Sequence, residues 1–238
     1  MFTIVKNEMI AEDIYTLSLK NAPAGNAGQF FMLRVPGSAD PFLGRPLSIF
    51  DYDEDRKIVS FLYQAKGPGT QLLASLMPGQ KIELQGPYGN GFPMPDGSVT
   101  LIGGGIGIAP LHYLTKQLRR AKPTRHISVY LGFREEGYMV DSFKLYCDEL
   151  HVDIGGQITA NVGFSLGDTY FTCGPEPMMM AAAKAARKHR AKLYVSLESH
   201  MACGVGACLG CTCKTTQGAN RRVCKDGPVF LAEEVYNV

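Results

Sequence analysis

The chain has 238 residues, 45% of them hydrophobic and 19% charged, which supports a buried core and excludes a disordered chain. Its 24 Lys plus Arg nearly balance 22 Asp plus Glu, so it carries neither the basic footprint of a nucleic-acid binder nor a polybasic membrane patch. The longest apolar run, Leu101 to Leu114, contains His112 and is broken by four glycines, well short of the roughly 20 residues a bilayer span needs.

The N-terminus, Met1-Phe2-Thr3-Ile4-Val5-Lys6, lacks a basic stretch followed by an apolar one, so the chain is expected in the cytoplasm, with no membrane partner. Up to residue 97 the pattern predicts short strands: Phe2 to Val5, Ile14 to Leu19, Gln29 to Val35, Leu47 to Tyr52, Ile58 to Tyr63 and Lys81 to Gln85. Turns such as Gly25-Asn26, Pro36-Gly37 and Pro78-Gly79 separate them, and one helix, Thr70 to Met77, interrupts them. That spacing predicts a small antiparallel barrel or sandwich over 1–97, with the barrel expected. From Ser98 strands alternate with helices: strands at Ser98 to Ile102, Ile127 to Leu131, Tyr170 to Thr172 and Lys192 to Leu197, with helices at Pro110 to Arg120, Ser142 to Leu150 and Glu176 to His189. This predicts a parallel α/β sheet over 98–197. Residues 198–238 read as a loop rich in Gly and Cys.

Seven cysteines, an odd number, include five between Cys203 and Cys224. In a cytosolic chain such a cluster points to a metal or redox centre rather than to disulfides. The spacing Cys203-x4-Cys208-x2-Cys211-x12-Cys224 matches that of plant-type [2Fe–2S] ligands. The small residues Gly204, Val205, Gly206 and Ala207 let backbone N–H groups approach the sulfurs. A zinc site would more often show two C-x2-C pairs or accompanying histidines, and only one such pair is present. Cys213 reads as structural.

Gly103-Gly104-Gly105-Ile106-Gly107-Ile108-Ala109-Pro110 joins a predicted strand to a helix, where glycines and exposed N–H groups suit a diphosphate; a ligand-free turn is the alternative. Cys173-Gly174-Pro175 makes a second such turn. In a doubly wound sheet both lie on the carboxyl edge, where ligands bind. In the barrel, Arg45-Pro46-Leu47-Ser48 offers a guanidinium fork for a diphosphate and a hydroxyl for a ring edge. Phe61-Leu62-Tyr63-Gln64 offers strand atoms and an aromatic face, and Gly67-Pro68-Gly69-Thr70 a helix start suited to phosphate; a surface arginine and a capping threonine are the plainer alternatives. Glu135-Glu136 could accept ribose hydroxyls, with Arg134 beside them arguing the other way.

In this order, Arg-Pro-Leu-Ser, Gly-x-Gly-Thr, Gly-Gly-Gly-Ile-Gly-x-Ala-Pro and Cys-Gly-Pro-x-Pro-Met make the chain similar to the ferredoxin–NADP reductase superfamily. With the C-terminal cysteines and Glu198-Ser199-His200-Met201-Ala202-Cys203-Gly204, it resembles the electron-transfer subunits of type B dihydroorotate dehydrogenase over essentially its whole length, apart from a shorter segment between Leu150 and Asp168. The resemblance implies FAD on the barrel at Arg45, Pro46, Leu47, Ser48, Leu62, Tyr63, Gln64, Gly69 and Thr70. It implies NAD on the α/β domain, at the turns carrying Gly104, Gly105, Gly107, Cys173, Gly174 and Pro175, and a [2Fe–2S] cluster on Cys203, Cys208, Cys211 and Cys224. It further implies an FMN-containing, dihydroorotate-oxidising partner subunit in a heterotetramer of two plus two chains, serving pyrimidine synthesis. The alternatives are a reductase subunit of the same build serving a hydrogenase, an oxygenase or a ferredoxin, and a zinc-tailed binding module without redox activity.

Overall fold

The computed structural model describes residues 1–37 and 41–238. Its first half is a barrel of β1 (Phe2–Ala11), β2 (Ile14–Lys20), β3 (Phe30–Arg34), β4 (Arg45–Asp53), β5 (Ile58–Gln64) and, after helix α1 (Pro68–Ala74), β6 (Lys81–Tyr88). All pairings are antiparallel and the strands close in the order β1-β2-β5-β4-β3-β6. Period-two alternation drives this: along β5, Val59, Phe61 and Tyr63 point inward and are buried. Phe61 meets Phe31 of β3 edge to face at 5.9 Å.

The second half alternates strands and helices: β7 (Val99–Gly104), α2 (Ile108–Ala121), β8 (Ile127–Phe133), α3 (Val140–Lys144), β9 (Glu149–Ile154), β10 (Thr169–Cys173), α4 (Glu176–Lys188) and β11 (Lys192–Ser196). Beyond it come β12 (Thr212–Lys214), β13 (Asn220–Arg222), β14 (Val229–Leu231) and α5 (Ala232–Val235). The six-stranded sheet runs β14-β11-β10-β7-β8-β9, and its connections reverse direction between β7 and β10. That reversal opens a crevice at the carboxyl ends of the two strands, where doubly wound sheets bind ligands. One apolar core runs from the barrel interior into the α2 side of the sheet; a second lies under α4 and reaches the tail, where Phe230 and Tyr236 pack.

Three expectations need correction. The helix expected over Ser142 to Leu150 stops at Lys144, and the strand β9 follows, pairing in parallel with β8. Leu150, Val152 and Ile154 alternate with Glu149, His151 and Asp153, the period of a strand rather than a helix. The sheet is not wholly parallel: β14 adds to β11 antiparallel. It comes from the tail expected as loop, which also holds the β12–β13 hairpin.

Candidate nucleotide cleft and metal centre

A cleft of about 1380 Å³ opens along the carboxyl ends of the sheet strands. Its floor holds Gly104, Gly105, Gly107, Gly174 and Pro175; Gln64, Lys66 and the Glu12-Asp13 turn form a barrel wall, and Glu135 and Glu136 line it beyond β8. The two turns interlock through their glycines. A Cβ on Gly107 would sit 2.5 Å from the Cys173 carbonyl carbon, and one on Gly104 would sit 2.6 Å from the Met178 sulfur. Gly174, at φ +150°, brings its own missing Cβ within 2.9 Å of the Gly104 backbone. Only glycine allows this approach, which leaves backbone free to meet a ligand. Cys173 is buried at the end of β10, and burial pushes its thiol pKa far up, keeping it neutral.

The barrel residues expected to meet a flavin gather at one barrel end. Antiparallel pairing sets Ile49 of β4 opposite Phe61 of β5, so Arg45-Pro46-Leu47-Ser48 and Leu62-Tyr63-Gln64 share that end. The Arg45 guanidinium lies against the start of α1: a Cβ on Gly69 would be 2.7 Å from its Nε. One terminal nitrogen donates to the Leu43 carbonyl at 2.7 Å, while the buried Nε has no hydrogen-bond partner. A cation held against bare backbone with a donor left over fits a diphosphate. Thr70 is not the first capping residue; Gly67 is, and the Thr70 hydroxyl accepts from the Gly67 N–H at 3.1 Å and donates to its carbonyl at 3.0 Å. The Tyr63 ring turns into the barrel, where its hydroxyl donates to Asn7 Oδ1 at 3.1 Å and its ring stacks on Tyr15. The aromatic face expected there is therefore internal, and Tyr63 meets the barrel end through its backbone. Gln64 alone of the nine lines the cleft.

The four cysteines form two pairs. The Cys208 N–H donates to Cys203 Sγ at 3.4 Å, and the Cys224 N–H donates to Cys211 Sγ at 3.4 Å. The Gly210 N–H points at Cys208 Sγ at 3.5 Å. The Cys208 and Val205 N–H groups bring the Cys203 thiol down to about 6, a thiolate at neutral pH. Burial, and then neighbouring Cys211, push Cys224 up to about 12. Among the described residues no three His, Cys, Asp or Glu groups converge as on a single ion. Two thiol pairs with N–H donors suit a two-iron cluster, in which each iron takes two thiolates. The loop seats on the barrel: a Cβ on Gly204, at φ +70°, would be 2.9 Å from Met32. Cys208 faces solvent with exposed Val205 and Leu209 around it. Cys213, on β12, is half-buried and lines the far end of the cleft.

The sequence reads His112 as a satisfied surface or core residue, which its burial and its hydrogen bond to Phe50 bear out, and gives no sign of Lys116. Both are buried on α2 and contact β4, and a lone histidine or lysine in a helix gives no signal of a partner that lies far away in sequence.

Residues 198–236 match the family model of the iron–sulfur cluster binding domain of dihydroorotate dehydrogenase B. The chain is 39% identical over 241 aligned positions to the dihydroorotate dehydrogenase B (NAD(+)) electron transfer subunit of Clostridium perfringens, covering 98% of this chain and 96% of that one. To the subunit of the same name from Bacillus caldolyticus it is 40% identical, with 98% and 96% covered. Among solved structures, a chain of an NADH-dependent reduced ferredoxin–NADP oxidoreductase superimposes with a TM-score of 0.86 at 30% identity, covering 99% of this chain and 90% of that one. Phthalate dioxygenase reductase, at 19% identity and a TM-score of 0.66 over 92% of this chain and 74% of its own, shares the fold. On its full-length relatives and on the cluster domain at its C-terminus, the chain belongs to the electron transfer subunits of dihydroorotate dehydrogenase B (NAD(+)).

Proposed function

We infer that this chain relays electrons between NAD+ and a separate FMN-containing subunit that oxidises dihydroorotate, in the cytoplasm and in an assembly of two plus two chains. The observation that carries the reading is the placement of two thiol pairs on a loop seated against the barrel, with Cys208 at the surface. When bound, FAD exchanges a hydride with NAD and single electrons with an iron–sulfur centre. The chain's own residues supply the rest. Arg45 and the Gly69 backbone hold the FAD diphosphate, while Pro46, Leu47, Ser48, Leu62, Tyr63, Gln64 and Thr70 border the flavin. The turns carrying Gly104, Gly105 and Gly107, and Cys173, Gly174 and Pro175, take NAD. Cys203, Cys208, Cys211 and Cys224 ligate the cluster, with exposed Val205 and Leu209 beside it for a partner. Organisation into a barrel at 1–97, a sheet domain at 98–197 and a cluster segment at 198–238 fits this division of labour. No helix of the described residues is long and apolar enough to cross a membrane.

The test uses the chain loaded with FAD and cluster. Alone it should oxidise NADH with an artificial acceptor and leave dihydroorotate untouched. Adding the FMN subunit should restore dihydroorotate-dependent reduction of NAD+. Turnover of dihydroorotate by the single chain would overturn the relay. Failure of the FMN subunit to restore it would point to another electron partner, the reading favoured by the 0.86 TM-score to the ferredoxin–NADP oxidoreductase chain.

A further inference from the structure

Helix α2, which begins at the Gly105–Gly107 turn, carries a polar seam against the barrel. His112, Tyr113, Lys116 and Gln117 recur at the spacing that places them on one helix face. Lys116, 5% exposed, sets Nζ 2.5 Å from Asp51 Oδ1 and 3.0 Å from the Tyr52 carbonyl. The His112 ring stacks on Phe50 with centroids 4.2 Å apart, and its Nδ1–H donates to the Phe50 carbonyl at 3.0 Å. The Tyr113 hydroxyl donates to the Gly25 carbonyl at 3.2 Å, and Gln117 Oε1 accepts from the Ala27 N–H at 3.0 Å.

The seam joins the two elements that carry the nucleotide turns. α2 starts where NAD is assigned; β4, which holds Phe50 and Asp51, starts at Arg45, where FAD is assigned. Apolar packing alone would cover the same surface without desolvating an ammonium group. Apolar contact has no direction of its own, whereas hydrogen bonds fix donor and acceptor against each other. An ion pair and directed hydrogen bonds fix the helix along its axis, and a slide of α2 moves the Gly105–Gly107 turn with it. Hydride transfer needs reacting atoms about 3–3.5 Å apart, and a displacement of about 1 Å can lower a rate a hundredfold.

We propose that Lys116 and His112 are positioning residues: paired with Asp51 and Phe50, they lock α2 on β4 and thereby set the spacing between flavin and nicotinamide. This rests on the FAD and NAD assignments above. The test compares the FAD- and cluster-loaded chain with Lys116→Met, which keeps length and loses charge. Stopped-flow bleaching of the flavin by NADH should slow by about tenfold or more, with NADH affinity changed less than threefold. The long-wavelength charge-transfer band of the NADH complex should weaken. In the cofactor-free chain, amide exchange in α2 should rise while β1 and β2 stay protected, and Lys116→Arg should recover part of each effect. Should Lys116→Met fail to fold, the double substitution Lys116→Met with Asp51→Asn, which removes the ion pair without leaving either charge unpaired, gives the same comparison. An unchanged bleaching rate and charge-transfer band, with only a lowered melting temperature, would reduce the seam to a structural contact and overturn the proposal. An unmodified chain whose flavin NADH does not bleach would overturn the nucleotide assignments, and the positioning role with them.

Discussion

Inside the barrel Leu17, Leu19, Phe31, Ile49, Val59, Phe61 and Ile82 are all fully buried, whereas between Cys203 and Asp226 the one buried aliphatic side chain is Val223. The strands of the tail hairpin, β12 and β13, are three residues each, below what an isolated hairpin needs to stand in water. The barrel and sheet therefore hold their shape through apolar burial, the main driving force of folding, together with ladder hydrogen bonds. The cluster loop has little of either and leans on its ligands, on the seat of Gly204 against Met32 and on the Arg222–Asp226 ion pair at 2.9 Å. In one region the ligand enters a finished structure; in the other the ligand helps to make it.

The largest effect should come from breaking the second arrangement. Each of Cys203→Ser, Cys208→Ser, Cys211→Ser and Cys224→Ser should bring iron and acid-labile sulfide per chain close to zero, since losing one thiolate opens an iron coordination position. Amide exchange should then rise across 203–226 and stay unchanged in the barrel strands. Cys213→Ser should keep full iron. Full occupancy after Cys224→Ser, with loss after Cys213→Ser, would show that the ligand set is misassigned; a barrel that loosens together with the tail would erase the contrast between the two regions.

A smaller effect is expected where the ligand meets the finished body. Arg45→Ala removes a charge-assisted contact and should weaken FAD binding by about 1.5–3 kcal/mol, leaving iron content as it was. Flavin retained unchanged through dilution and gel filtration would remove Arg45 from the site.

The same contrast governs what the sequence reveals. In the body the pattern discloses structure: alternation and Pro/Gly turns locate each barrel strand, although β1 runs on to Ala11 past the polar run Lys6-Asn7-Glu8, where Asn7 on the more buried face interrupts the alternation. In the tail the pattern points to chemistry: cysteine spacing is read without the fold, and residues 198–236 match an iron–sulfur cluster binding domain. Hidden from the sequence are features made by distant pairing. β14 is three residues whose strand character comes from β11, and Lys116 meets Asp51 across 65 positions. The edge strand β9 takes its place through parallel pairing with β8, which lies about 20 positions earlier. Tyr63 shows the same limit at the site, since nothing local says that its ring turns inward toward Asn7.

The smallest effect concerns acid, and it separates the body from the tail once more. Burial holds His112 below the ordinary histidine value; the Phe50 carbonyl, the Asp51 carboxylate and the Ser142 backbone, which favour the cation, do not make up for it, and Lys116 adds to the depression. Its Nε2 is buried without a hydrogen-bond partner, as expected of a neutral ring whose Nδ1 carries the proton. The unfolded chain takes up a proton near pH 6.5, where the folded chain still refuses it. Unfolding is therefore favoured as pH falls through about 6.5, where the unfolded chain takes up the proton first, and the stabilisation present above that pH shrinks between pH 6.5 and 5.5. In a chain already carrying Cys224→Ser, so that only the body is followed, His112→Phe should remove that part of the pH dependence in urea titrations at the two pH values. The substitution itself should cost about 0.5–1.5 kcal/mol at both pH values for the lost hydrogen bond to Phe50, so the difference between the two pH values carries the test. The other four histidines are common to both chains and cancel. An equal loss of stability with and without His112 would place the acid weakness of the body elsewhere and show that this ring takes its proton as readily in the folded chain as in the unfolded one.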